Sequence, residues 1–229
     1  IDIVREKQHL RQIIENAREA ERAAFEQSES AETIRSKTEY AFASLESHKR
    51  AEKTLASALK TQIERWEVAK KTGCAGIPTG FNILDTYFGG LMEGAVYYFS
   101  GQAGSCKTTL MRNILENISG YRENKVPSAL FSLEQTTEQI AGSIAARHAK
   151  QSVYHLNSGL KNDKYADVRK VALSACHVSK WPIHIIDQPQ TPTSLWSACR
   201  RLVSKHGVRV IALDFLQRIS SDQRYKSDE

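Results

Sequence analysis

Gly101-Gln102-Ala103-Gly104-Ser105-Cys106-Lys107-Thr108 lies between a short apolar run, residues 95–100, and a stretch of helical spacing, residues 108–119. A loop of this kind, leaving a strand and opening a helix, is the context a Walker A loop requires. Consecutive backbone N–H groups at the helix N-terminus can cradle phosphate oxygens while one lysine neutralises β and γ charge. Lys107 takes that part, and Thr108 would offer its hydroxyl to Mg²⁺, a hard cation that selects oxygen ligands. One position departs from the pattern: Cys106 stands where a second glycine is usual. A side chain there costs about 1 kcal/mol if the backbone takes a positive φ, and it could crowd the phosphates. The rival reading of the stretch is a decayed loop.

Outward from the loop, short β-type runs alternate with helical ones. Strands are expected over residues 95–100, 128–133, 183–187 and 208–214, and helices near residues 108–119, 136–150, 165–179 and 192–206. This β-α-β order predicts an α/β fold with a mostly parallel sheet. Ligands of such sheets bind off the carboxyl ends of the strands, so two acids stand out. Glu134 ends Ala129-Leu130-Phe131-Ser132-Leu133, where a carboxylate can orient and activate a water. Asp214 ends Val210-Ile211-Ala212-Leu213, where a Walker B aspartate holds Mg²⁺. Either acid alone could be a loop or cap residue; with the loop they form a constellation.

Residues 1–72 contain neither proline nor glycine. Leu10, Ile13, Ile14 and Ala17 make one helical stripe, Leu55, Leu59, Ile63 and Trp66 another, and a weaker helix is expected near residues 34–45. The polar interval 27–30 separates the first two, and Lys71-Thr72-Gly73 stops the third. Helices this thin cannot close a core of their own. Their stripes must pack on the following domain or on another subunit.

Composition narrows the class. Among the 229 residues no apolar run reaches membrane-spanning length, so no membrane association is expected. Four cysteines without CxxC spacing suit reduced thiols and a cytoplasmic protein. Of the net charge of +6, +5 falls beyond residue 72, which weakly favours a polyanionic partner. His148, His155 and His177 lack metal-ligand spacing. Arg200 and Arg201 read as a solvated helix face, Trp181, Trp196 and Tyr97 as packing, and the polar tail, residues 220–229, as unstructured without a continuation. A start at Ile1 suggests a segment of a longer protein.

Ahead of the first expected strand stand Gly76-Ile77-Pro78-Thr79-Gly80-Phe81, Leu84-Asp85 and Gly89-Gly90-Leu91. With Ser132-Leu133-Glu134 and Asp214-Phe215-Leu216-Gln217, they resemble the successive motor motifs of DnaB-type replicative DNA helicases. Val4-Arg5-Glu6-Lys7-Gln8 resembles the end of that family's N-terminal domain. The resemblance runs along nearly the whole chain and implies a RecA-like P-loop ATPase core, residues 73–229, ending after the Walker B strand. Residues 1–72 would be the end of the N-terminal domain and the linker helix. It further implies a homo-hexamer assembled through that helix, 5'–3' translocation on single-stranded DNA driven by ATP with Mg²⁺, and a primase or helicase loader as partner. The implied nucleotide set is Gly101, Gln102, Ala103, Gly104, Ser105, Cys106, Lys107, Thr108, Thr109, Asp214 and Gln217. Glu134 and Lys107 are its catalytic groups, and Thr108 and Asp214 its metal ligands. The family's arginine finger and DNA loops fall beyond Glu229, so the segment alone should be weak or inactive. Recombinase and clock-type ATPases share the Gly-Gly-Leu turn and P-loop, but the helical linker and the Asp-Phe-Leu-Gln ending argue against them. A non-hydrolysing module that loads or caps a ring is the alternative that Cys106 would allow.

Overall fold

The structure, a computed structural model, describes residues 2–27, 29–47, 54–102, 104–121, 123, 125–159 and 166–220. The chain divides into two compact units. One holds Ile1–Thr54, Pro189–Lys205 and Arg218–Glu229; the other holds Leu55–Gln188 and His206–Gln217.

The first unit is helical. Helices α1 (Asp2–Glu26) and α2 (Ala31–Ser47) pack against each other. Between them Ser30 accepts from Thr33 N, the local signal that restarts the helix. The third member, named α9 for its place in the chain, is Pro192–His206. It opens with Pro192 and with Thr191 and Ser194 bonding each other's backbone N–H groups at 3.2 and 2.8 Å. Ser197 on α9 donates to the Ser36 carbonyl of α2. Trp196 meets Tyr40 edge-on at 5.1 Å, and the Arg200 guanidinium lies over the same indole at 5.0 Å. Trp196 is thus packing, as expected, while exposed Arg200 has an aromatic face under it as well as solvent.

The second unit is α/β. After α3 (Leu55–Thr72) come α4 (Asn82–Phe88), α5 (Lys107–Ser119), β1 (Ser128–Ser132), α6 (Thr137–His148), α7 (Val153–Ser158), α8 (Val168–Val178), β2 (Ile183–Ile186) and β3 (Val210–Asp214). A 3₁₀ turn, Leu216–Arg218, follows β3. The three strands are parallel in the order β2-β1-β3. With a neighbour on either side, β1 is buried at every position, which is why Ala129, Leu130 and Phe131 run apolar without alternation. Leu115 and Ile118 of α5, Leu130, Ile140 and Ile144 of α6, and Trp181 form the core. Burial of each such side chain stabilises by about 1.5–3 kcal/mol. Trp181 seats so closely on Gly120, the C-cap of α5, that a Cβ there would fall 2.6 Å from the indole.

One expected strand is corrected. Residues 95–100 pair with no strand, and Val96 and Tyr98 are 93% and 71% exposed. Their apolar, aromatic and β-branched composition suits a strand, but the run makes no ladder with the three-stranded sheet. The segment is held instead by Tyr97, whose hydroxyl donates to Gly90 O at 3.0 Å and accepts from Met92 N at 2.8 Å. The expected helix over 136–150 is α6, begun by a Thr136–Gln139 capping box. That over 165–179 is α8, capped by Asp167, with residue 165 outside the described residues.

Candidate nucleotide site

Helix α5 begins without a side-chain cap, its N-cap being Cys106. The first-turn N–H groups are therefore not taken up by a side chain, as an anion cradle needs. Cys106 does adopt the left-handed conformation (φ 61°, ψ 27°), so the strain foreseen at this position is present. Gly104 is also left-handed (φ 78°), and at Gly101 a Cβ would come within 2.7 Å of Ser105 Oγ. The Lys107 ammonium donates to Gly101 O at 2.8 Å and Gln102 O at 2.7 Å, with Ser105 Oγ at 3.4 Å. It closes the loop on itself, rather than reaching Glu134 or Asp214. Thr108 is half-buried, Thr109 exposed, and Ala103 lies outside the described residues.

The acids gather at the carboxyl edge of the sheet. Ser132 and Asp214 are register partners, and Leu133 N donates to Asp214 O at 2.8 Å. Ser132 Oγ accepts from Gln135 N and donates to Gln135 O, which folds residues 132–135 into a tight turn with Glu134 exposed on it. Asp214 is buried, 7% exposed, and Gln217 is exposed on the 3₁₀ turn. A third acid, Asp187, was missed in the sequence. It follows Ile186, the register partner of Phe131, and so stands at the same edge. Its Oδ2 accepts from Thr137 N at 2.7 Å at the start of α6, and that bond holds the carboxyl below its ordinary range. The signal was available, since Asp187 ends an apolar run just as Asp214 does.

Residues 74–91 form a strap tied to α5. Asp85 accepts from Thr79 N, Thr79 Oγ1 and Gly80 N, while Asn117 of α5 donates to Thr79 O at 3.0 Å. Ile77 and Leu91 exchange both backbone hydrogen bonds. Gly76 and Gly90 permit that approach: a Cβ on either would meet Leu91 O or Cys74 Sγ at 2.5 Å. The Pro-Thr-Gly and Gly-Gly-Leu pieces thus hold the strap on the phosphate-loop helix.

Residues 76–229 match the family described as DnaB-like helicase C terminal domain. The chain belongs to that family. Among curated relatives it is 27% identical over 176 residues to replicative DNA helicase DnaB of Leifsonia xyli subsp. xyli, covering 76% of this chain and 38% of the relative. It is 33% identical over 145 residues to replicative DNA helicase DnaB of Nostoc sp., covering 62% of the chain and 16% of that protein. With replicative DNA helicase DnaC of Bacillus subtilis it shares 28% over 160 residues, covering 69% and 34%. The chain therefore spans well under half of the length of these relatives. Among the solved structures that match its fold are two with a TM-score of 0.65 each. One, described as an ATPase domain, is 22% identical, with 77% of this chain and 62% of that one covered. The other, a DnaB-like replicative helicase described with its interactions with primase, is 19% identical, with 100% and 52% covered. The fold is accordingly α/β and RecA-like. Among the described residues no helix is long and apolar enough to cross a membrane, and no cluster of three or more His, Cys, Asp or Glu is placed to hold a metal ion.

Proposed function

We propose that the chain is the linker and motor segment of an ATP-driven replicative DNA helicase. Residues 1–72 would be the end of an N-terminal domain plus the linker, and residues 73–229 the motor up to its Walker B strand. The observation that carries this reading is an uncapped, glycine-bearing loop with an inward lysine at the start of α5, with Glu134 and Asp214 at the carboxyl edge of the sheet. Loop, lysine, hydroxyl and buried aspartate suit a Mg²⁺–nucleotide, and the loop carbonyls that now hold Lys107 are a weaker partner than a phosphate. Gly101, Gln102, Ala103, Gly104, Ser105 and Cys106 would wrap the phosphates, with Thr109 and Gln217 at the margins. Thr108 and Asp214 would hold the metal, which when bound draws charge from the phosphate oxygens. Glu134, on its exposed turn, takes the proton of an attacking water. Turnover at subunit interfaces would need groups beyond Glu229, so the segment alone should be weak, and the finer properties (5'–3' polarity, single-stranded DNA, a primase or loader) belong to the assembled protein.

Assembly is proposed to run through α3. Its stripe of Leu55, Leu59, Ile63 and Trp66 is 76%, 49%, 50% and 59% exposed. Such a set suits a groove on a neighbouring copy. A non-hydrolysing module is the second reading, which the left-handed Cys106 favours. Calorimetry of Mg²⁺–ATP binding to the complete protein, with Lys107→Ala as control, tests the site. Binding that disappears in the variant is expected, since the loop holds no other cation. Equal affinity in both proteins would remove Lys107 from the site.

A further inference from the structure

Glu116 lies in the third turn of the phosphate-loop helix α5, about 13 Å along its axis from Lys107, and is 0% exposed. Its two oxygens face two arginines. Oε1 is 3.5 Å from Arg112 Nε on the same helix, and Oε2 is 3.5 Å from Arg147 Nη1 in the last turn of α6. Neither oxygen accepts a hydrogen bond from a described residue, and Arg112 Nε likewise donates none. Arg112 is instead anchored across the helix pair by its Nη1, which donates to Ser143 Oγ of α6 at 2.7 Å. Burial pushes the Glu116 carboxyl above its ordinary range, against the pull of Arg147 and Arg112.

Such a cluster is poor at stabilising a fold, because the cost of taking the charges out of water offsets much of their attraction. An apolar residue facing α6 would serve packing as well. What the ions add is a defined relation between two rods that each begin next to a residue of the candidate site. Helix α5 starts at Lys107, and α6 starts three residues after Glu134. At 3.5 Å the Glu116–Arg147 contact, the one that crosses between the helices, stands at the outer edge of hydrogen-bonding range, so a small shift of α5 along α6 would close or open it. We propose that Glu116 is a positioning residue which, through Arg147 and Arg112, couples phosphate binding at the start of α5 to the placement of α6 and of the Glu134 turn. The inference rests on the nucleotide reading given above. Glu116 touches no reacting atom, so its loss should leave nucleotide binding intact while misplacing the carboxylate that acts on water.

The experiment is amide hydrogen exchange on the complete protein with and without Mg²⁺–ADP, joined to steady-state ATP turnover, for the wild type, Glu116→Gln and Arg147→Gln. Arg147 is 39% exposed, so its variant breaks the same contact from the solvent side if Glu116→Gln fails to fold. In the wild type, nucleotide should slow exchange both in the first turn of α5 and in α6. In the variants the α5 effect should persist, the α6 effect should vanish, and kcat should fall about 10- to 100-fold at an unchanged KM, the scale of a modest misplacement. Nucleotide that protects α5 but not α6 in the wild type, or variants that respond like it, would overturn the coupling and leave the nucleotide site standing. A wild type that binds no nucleotide would take both down together.

Discussion

Cys106 holds a backbone conformation that an L-residue enters at a cost of about 1 kcal/mol, and it does so directly before the lysine of the phosphate loop. Its Sγ lies 3.7 Å from Gly104 O, a contact too weak to offset that cost. Replacing Cys106 by Gly should therefore stabilise the folded protein by up to about 1 kcal/mol, less the added freedom of glycine in the unfolded chain. It should also tighten Mg²⁺–ADP binding. Denaturant unfolding and calorimetry read the two effects, and a Gly variant that is both less stable and weaker in binding would mean the thiol is a working part of the loop. Glu116 makes the second prediction at this scale. Its folded pKa is raised above the ordinary 4.5. The folded state thus binds the proton more tightly, and the associated stability is present below that value and lost as pH rises through the folded pKa. Wild-type stability should fall with rising pH across that window relative to Glu116→Gln, whose curve should lack the slope. Parallel curves would mean that Glu116 titrates alike folded and unfolded.

Among the elements, α3 leaves a whole apolar stripe exposed. Its four large side chains, at i, i+4, i+8 and i+11, would each stabilise by about 1.5–3 kcal/mol if buried, which makes a covering surface on another copy worth testing. Leu59→Asp with Ile63→Asp should dissociate the assembly in sedimentation while far-UV circular dichroism still reports a folded motor. An assembly that survives both charges, or a motor that unfolds, would contradict docking between copies. The elements also mark what could be read in the sequence. The Ala129-Leu130-Phe131 run, the Pro192 start of α9 and the spacing of α1 and α3 are local signals, and each predicted its element. Residues 95–100 carry the same kind of signal, yet pairing with the sheet is a non-local outcome that a local run does not decide. Helices α4 and α7 are too short for periodicity to reveal. The seat of Trp196 between Tyr40 and Arg200 joins residues far apart in the chain, and no spacing within α9 announces it.

For the molecule as a whole, family membership and fold agree with the motif reading, while the site roles rest on geometry and chemistry. The phosphate loop, Glu134 and Asp214 were legible because each stands at the end of an apolar run whose neighbours the β-α-β order dictates. Asp187 carried the same run-end signal as Asp214 and was overlooked, whereas Glu116 was not legible, since its role needed the α5–α6 packing that brings Arg147 across. We propose that the complete protein hydrolyses ATP with Glu134 acting on water and Lys107 on phosphate. The most direct test is Mg²⁺-dependent phosphate release by the complete protein beside Glu134→Gln, with nucleotide affinity measured on both. Turnover is expected in the wild type, and in the variant retained affinity with a rate lower by about 10²- to 10⁴-fold, the range for a lost general base. Binding without turnover in the wild type, or an unaltered rate in the variant, would contradict this proposal.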